Sequence, residues 1–241
     1  MATLLSVVPA DSVIVSVDRV GDLASALRAA NVTVPGRASG RTHCQVEIYS
    51  LIRVLASRPY RLSDFPLKLA KRERPDFLLS ANGVAIGVEH TEAVPQNAAK
   101  EAFLRDRGIG PETHYVHPAS IGERAKGSKE IRAEIEKDKM GEGWMGDSAE
   151  CSWVEAMTKF VSDKIQSVQS PDCTRFDRTW LVIYDNWPAP ILNHAKAVPL
   201  LTAELIKLAT WSVFERVFIL DESVLLEIEQ TAVHVHCVNH C

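Results

Sequence analysis

The chain has 241 residues, 46% apolar and 24% charged, with a net charge of −4. That balance suits a globular chain able to bury a proper core. It excludes a generally basic nucleic-acid coat and leaves a local patch at most. Five cysteines, odd in number and widely spaced until the C-terminus, make no disulfide framework. No run approaches the ~18 apolar residues of a membrane span, and the first residues carry no basic leader before Pro9 and Asp11 interrupt the apolar stretch. A reducing cytoplasm is the expected compartment.

Residues 1–41 read as an N-terminal extension, with a short strand over Ser12–Val17 and a helix over Val20–Ala30. Pro35-Gly36 and Ser39-Gly40 close the loop that follows. Thr42 is then a helix N-cap, and Ile48, Leu51, Ile52 and Leu55 form one apolar face behind it. Glu47 borders that face. It is either a first-turn glutamate favoured by the helix dipole or a carboxylate reaching over the core edge.

Leu67–Ala70 is a short strand leading into residues 73–93. There Phe77–Ala81 and Val84–Val88 flank Asn82-Gly83. Asn-Gly is the strongest short-range signal for a two-residue hairpin, because a type I′ turn needs φ > 0 at both central positions. With Ala81 facing Val84, the pairing carried outward sets Asp76 opposite Glu89. Opposed like charges destabilise a sheet. Two carboxylates so placed either begin and end their strands in solvent or share a cation. Hard divalent ions take such oxygen ligands.

Residues 95–150 are polar, with helices expected at Asn97–Arg107 and Ser128–Lys139 among many glycines and prolines, and read as an excursion from the main sheet. Ser152 is a candidate cap for a helix over Trp153–Val168. Trp153, Met157, Phe160, Val161 and Val168 share its apolar arc. Lys164 falls in the middle of that arc, whereas Lys159 lies on the polar side with Glu155 and Gln166. A lysine there either snorkels to water or aims its ammonium at buried carboxylates or a phosphate.

Trp180–Tyr184 reads as a strand covered on both faces. A helix over Lys196–Thr210, with Leu200, Leu201, Leu205 and Leu208 as its stripe, leads to a second buried strand at Val217–Leu220. The two strands are expected to be parallel. Leu225–Val238 gives one or two terminal strands. The tail from His234 to Cys241 holds five potential ligands in a spacing that fits no zinc pattern. Between Arg58 and Arg74 basic residues outnumber acidic ones, and Lys71, Arg72 and Arg74 are the candidate nucleic-acid contacts beside the hairpin.

Pro75-Asp76, followed after a gap by Glu89-His90-Thr91, in the order helix, strand, hairpin, insertion, helix, buried strand, resembles the PD-(D/E)xK nuclease superfamily. The resemblance covers roughly residues 42–190, and Pro171-Asp172 is a second, chance match to the short motif. It implies an α/β domain over residues 42–241, a restriction-endonuclease-like mixed sheet flanked by helices with residues 95–150 inserted. It implies Mg²⁺ (or Mn²⁺) held by Asp76 and Glu89, with Glu47 as an auxiliary ligand, and hydrolysis of DNA or RNA phosphodiesters. Thr91 stands where the family has its lysine. The resemblance assigns that role to Lys164 on the following helix, with Thr91 hydrogen-bonding the water or the lysine. The alternative is a nucleic-acid-binding or regulatory module that keeps the fold without cleavage, which Thr91 and the acidic net charge favour.

Overall fold

In the computed structural model, residues 9–137, 143–171 and 173–238 are described. One eight-stranded mixed sheet organises them, its strands lying side by side in chain order. Strand β1 (Val13–Val17) and helix α1 (Val20–Ala30) come first, and β1 pairs antiparallel with β2 (Leu67–Lys71). The expected N-terminal extension therefore contributes an edge strand to the same sheet. Helix α2 (His43–Ser57) starts as expected. The Thr42 hydroxyl accepts from the Gln45 N–H at 3.2 Å, and the Gln45 side chain accepts from the Thr42 N–H at 2.9 Å. This reciprocal capping box fixes where the helix begins.

Strands β3 (Phe77–Ala81) and β4 (Val84–Ala93) form the hairpin, in the register set by Ala81 facing Val84. Asn82 and Gly83 both have positive φ, 48° and 79°, as a type I′ turn requires. The chain then leaves the sheet for α3 (Gln96–Arg105) and α4 (Ser128–Lys137), whose Leu104, Ile131 and Ile135 make a small core of their own. Helix α4 was expected to run to Lys139, which lies outside the described residues.

Helix α5 (Ser148–Val168) begins one turn earlier than Ser152 suggested. The Ser152 hydroxyl instead donates to the Ala119 carbonyl at 3.1 Å and accepts from the Trp187 indole at 3.0 Å, tying the helix to neighbouring loops. Strand β5 (Arg178–Asp185) pairs parallel with β4 on one side and with β6 (Arg216–Leu220) on the other, with α6 (His194–Lys207) between β5 and β6. On α6, Leu201 and Leu205 are buried as expected, while Leu200 is exposed. An antiparallel pair, β7 (Val224–Ile228) and β8 (Val233–Cys237), ends the sheet.

The sheet separates two cores. Alternation along β5 sends Trp180 and Val182 toward α1 and α2, and Leu181 and Ile183 toward α5 and α6. Strand β4 follows the same rule, because Val88 belongs to the first core and Glu89 lies beside Leu181 of the second. That parity decides which helix each polar side chain of β4 can meet. No helix among the described residues is long and apolar enough to cross a membrane.

Candidate functional site

The ladder between β3 and β4 extends to Phe77 opposite Val88, and Asp76 sits one residue before it. Pro75 cannot donate to a ladder, so the chain bends there, and the Asp76 carboxylate turns onto the next strand. Its Oδ2 accepts the His90 backbone N–H at 2.7 Å. Glu89 points from the middle of β4 toward α5 and is 6% exposed.

Helix α5 delivers a cation to this point. The Lys164 ammonium lies 2.8 Å from Glu89 Oε2 and 3.3 Å from Asp76 Oδ2. Its stem crosses the packed layer between Phe160 and Val168, both set against the core of that face. Lys159, about 140° away around the helix, is half exposed and pairs with Asp163 on its own helix. The two lysines thus have the placements that their positions on the helical wheel predict.

Charge within this cluster is unbalanced. Burial raises the Glu89 pKa, and the neighbouring Asp76 charge adds to the rise while Lys164 opposes it. For Lys164 burial works against the charged form, but the two carboxylates outweigh it and the pKa is raised. One ammonium therefore faces two carboxylates.

Glu47 does not join them. Lys71 comes between, its ammonium 2.9 Å from Glu47 Oε2 and 3.0 Å from the Asp76 carbonyl oxygen. The reason is the parity of the sheet. Lys71 lies over the Phe77 ring, on the face that packs against α1 and α2, whereas Glu89 points to the other face. Among the described residues no group of three or more His, Cys, Asp or Glu is placed to hold a metal ion. The expected three-carboxylate set is thus reduced to Asp76 and Glu89. Thr91 is half-buried two residues beyond Glu89, on the same sheet face and beside Ile183. The ammonium's hydrogen-bond partners among the described residues are the two carboxylates, and Thr91 is not one of them.

The basic stretch is dispersed by its partners. Arg58 approaches the buried Glu227 at 3.8 Å, Lys71 is occupied by Glu47, and Arg72 is 3.9 Å from Asp11. Arg74 is exposed in the bend before Asp76. Of the C-terminal ligand cluster, His236 bonds Glu227 at 3.0 Å and His234 stacks beside it, while residues 239–241 lie outside the described residues, as does Asp172 of the second motif match.

Two features had no reading in the sequence. His90 is buried on the opposite face, where its Nε2 lies 3.1 Å from the Ser50 hydroxyl, whose proton is given to the Val46 carbonyl. Nε2 is therefore the donor, and burial lowers the His90 pKa to about 3, keeping the ring neutral. Asp185, at the end of β5, accepts from the Trp153 indole and from the Trp187 N–H. Burial pushes its pKa up to about 6 against those hydrogen bonds. Its only sequence signal was its position at the end of an apolar strand.

A cavity of about 350 Å³ opens beside Glu89, between the end of α5 and the loop that enters β5. A larger one, about 610 Å³, lies within the insertion between α3, α4 and residues 114–119. Comparison with family models, with curated proteins and with solved structures finds no match to this chain.

Proposed function

We propose that the chain is a metal-dependent nuclease with a restriction-endonuclease-like core, hydrolysing phosphodiester bonds of DNA or RNA. The observation that carries this reading is the meeting of Asp76, Glu89 and Lys164 at one point, from a strand entry, a strand and a helix. The order α2, β2, β3, β4, α5, β5 and the antiparallel-then-parallel pairing of those strands support it as well.

The donor set fits a hard divalent ion. Mg²⁺ commonly uses one or two protein carboxylates and completes its shell with water and substrate phosphate oxygens. Asp76 and Glu89 would hold it, and Glu47 would not. An ion bound there supplies Lewis-acid polarisation of the scissile phosphate and a lowered pKa for attached water. The chain's own part is to orient and to balance charge. The His90 N–H fixes the Asp76 carboxylate. Lys164 presents a point charge to the attacking oxygen or to the phosphate as negative charge builds. Water adds to phosphorus, the bond to the leaving oxygen breaks, and that oxygen takes up a proton.

The test is a panel of single- and double-stranded DNA and RNA with Mg²⁺ and with Mn²⁺, using Asp76→Ala as control. Metal-dependent cleavage lost in Asp76→Ala is the expected result. Salt-sensitive binding without cleavage would instead favour the binding module, the reading that Thr91 supports. Neither binding nor cleavage would reject both.

A further inference from the structure

We propose that the cavity beside Glu89 receives a single unpaired nucleobase, stacked on Phe176, so that the substrate is a single-stranded or locally opened strand. This rests on the nuclease reading for its biological sense, but its chemistry is independent of metal. The cavity shares Glu89 with the carboxylate cluster, so any group bound in it lies next to the reacting position. Its volume of about 350 Å³ is at the lower end of small-molecule sites and suits a group the size of one base.

The lining suits a base. Phe176 and Pro75 give apolar surface, and Gln169 and Thr179 give side chains that donate and accept hydrogen bonds at a base edge. Phe176 is held in place by a specific feature of the hairpin. A Cβ on Gly87 would come 2.9 Å from Phe176 Cδ2 and 3.2 Å from Pro75 Cγ, so only glycine lets the ring settle against β4. A half-buried aromatic ring anchored beside the carboxylate cluster is the kind of platform on which unpaired bases stack. A base inside a duplex would have to be extruded to reach it.

Uncharged probes separate this inference from the metal chemistry. Saturation-transfer NMR on the full chain would use the four deoxynucleosides, with 2-deoxyribose as the base-free control. Transfer to base protons of at least one nucleoside, with little to the bare sugar, is expected. Phe176→Leu keeps an apolar side chain against Gly87 and should weaken binding at least about fivefold, while Phe176→Trp should retain it. Equal transfer to 2-deoxyribose, absence of nucleoside binding, or unchanged affinity in a folded Phe176→Leu protein would overturn the proposal. The sugar control needs no variant, so a misfolded substitution does not blunt the test. Nucleoside binding without any metal-dependent cleavage would sink the nuclease reading and leave the pocket standing. Cleavage without nucleoside binding would do the reverse.

Discussion

Two carboxylate clusters on this sheet differ in charge balance. Glu227, 4% exposed, meets the Arg216 guanidinium, with Arg58 at 3.8 Å and His236 at 3.0 Å. The Arg58 and Arg216 guanidiniums also lie over the Trp180 ring, at 4.9 and 5.6 Å respectively. Arg216 also reaches Glu229 at 3.0 Å, so two guanidiniums face two carboxylates there and charge is balanced. Glu92 is similar, taking Arg37, Arg41 and the Asn186 amide on one oxygen at 2.5 to 2.7 Å. At Asp76 and Glu89, among the described residues, the two carboxylates share the Lys164 ammonium. A buried excess of negative charge is costly unless something compensates it. The Asp76–Glu89 cluster is the one proposed to accept a further cation.

The comparison breaks most visibly in activity. Lys164→Ala should lower metal-dependent cleavage by at least about 10²-fold, the usual cost of removing a preorganised charge from a transition state. Lys159→Ala should leave the rate within about twofold. Equal rates for Lys164→Ala and the native chain, from gel-based single-turnover assays, would remove Lys164 from the chemistry.

Stability should respond with opposite sign at the two clusters. Glu227→Gln removes the anion shared by two half-buried guanidiniums, of which Arg216 keeps Glu229 at 3.0 Å, and should cost about 2 kcal/mol in urea unfolding. Glu89→Gln relieves the repulsion with Asp76, and Lys164 keeps Asp76 as its partner. The metal-free protein should lose nothing measurable or gain slightly. A loss at Glu89→Gln as large as at Glu227→Gln would mean that the two clusters are equivalent.

A third carboxylate sharpens the point by pH. The Asp185 pKa rises from 3.8 to about 6, so the folded state holds that proton more tightly than the unfolded chain. Its stabilising contribution is fully present below about pH 4 and is lost as pH rises through about 6. The shift corresponds to about 3 kcal/mol. The stability difference between native chain and Asp185→Asn should therefore change between pH 4 and 7. A difference that stays constant across that range would show that Asp185 is not the group responsible.

Much of this site was legible because its signals are local. Asn82-Gly83 demands a turn with two positive φ values, and that turn sets the register that carries Asp76 toward Glu89. The apolar arc of α5 fixes the direction of Lys164, since the helix must bury Trp153 and Met157. Glu47 was misplaced because its relation to the hairpin depends on which sheet face α2 covers. Helical periodicity says that α2 has a buried face but not against which side of β4 it lies. Lys71 stands among the candidate nucleic-acid contacts because nothing local shows that it will meet Glu47. The His90–Ser50 contact and the Phe176–Gly87 fit join residues 40 and 89 positions apart, and no short pattern encodes them.

Asp76 and Glu89 are the proposed ligands of a divalent cation. Thermal unfolding with and without Mn²⁺, in the native chain and in Asp76→Asn, tests this most directly. At about 100 times the dissociation constant, linkage stabilises the native chain by about 2.7 kcal/mol, seen as a rise in Tm. That rise is expected in the native chain and not in Asp76→Asn. Equal Tm shifts in the two proteins, or no shift in either, would contradict it.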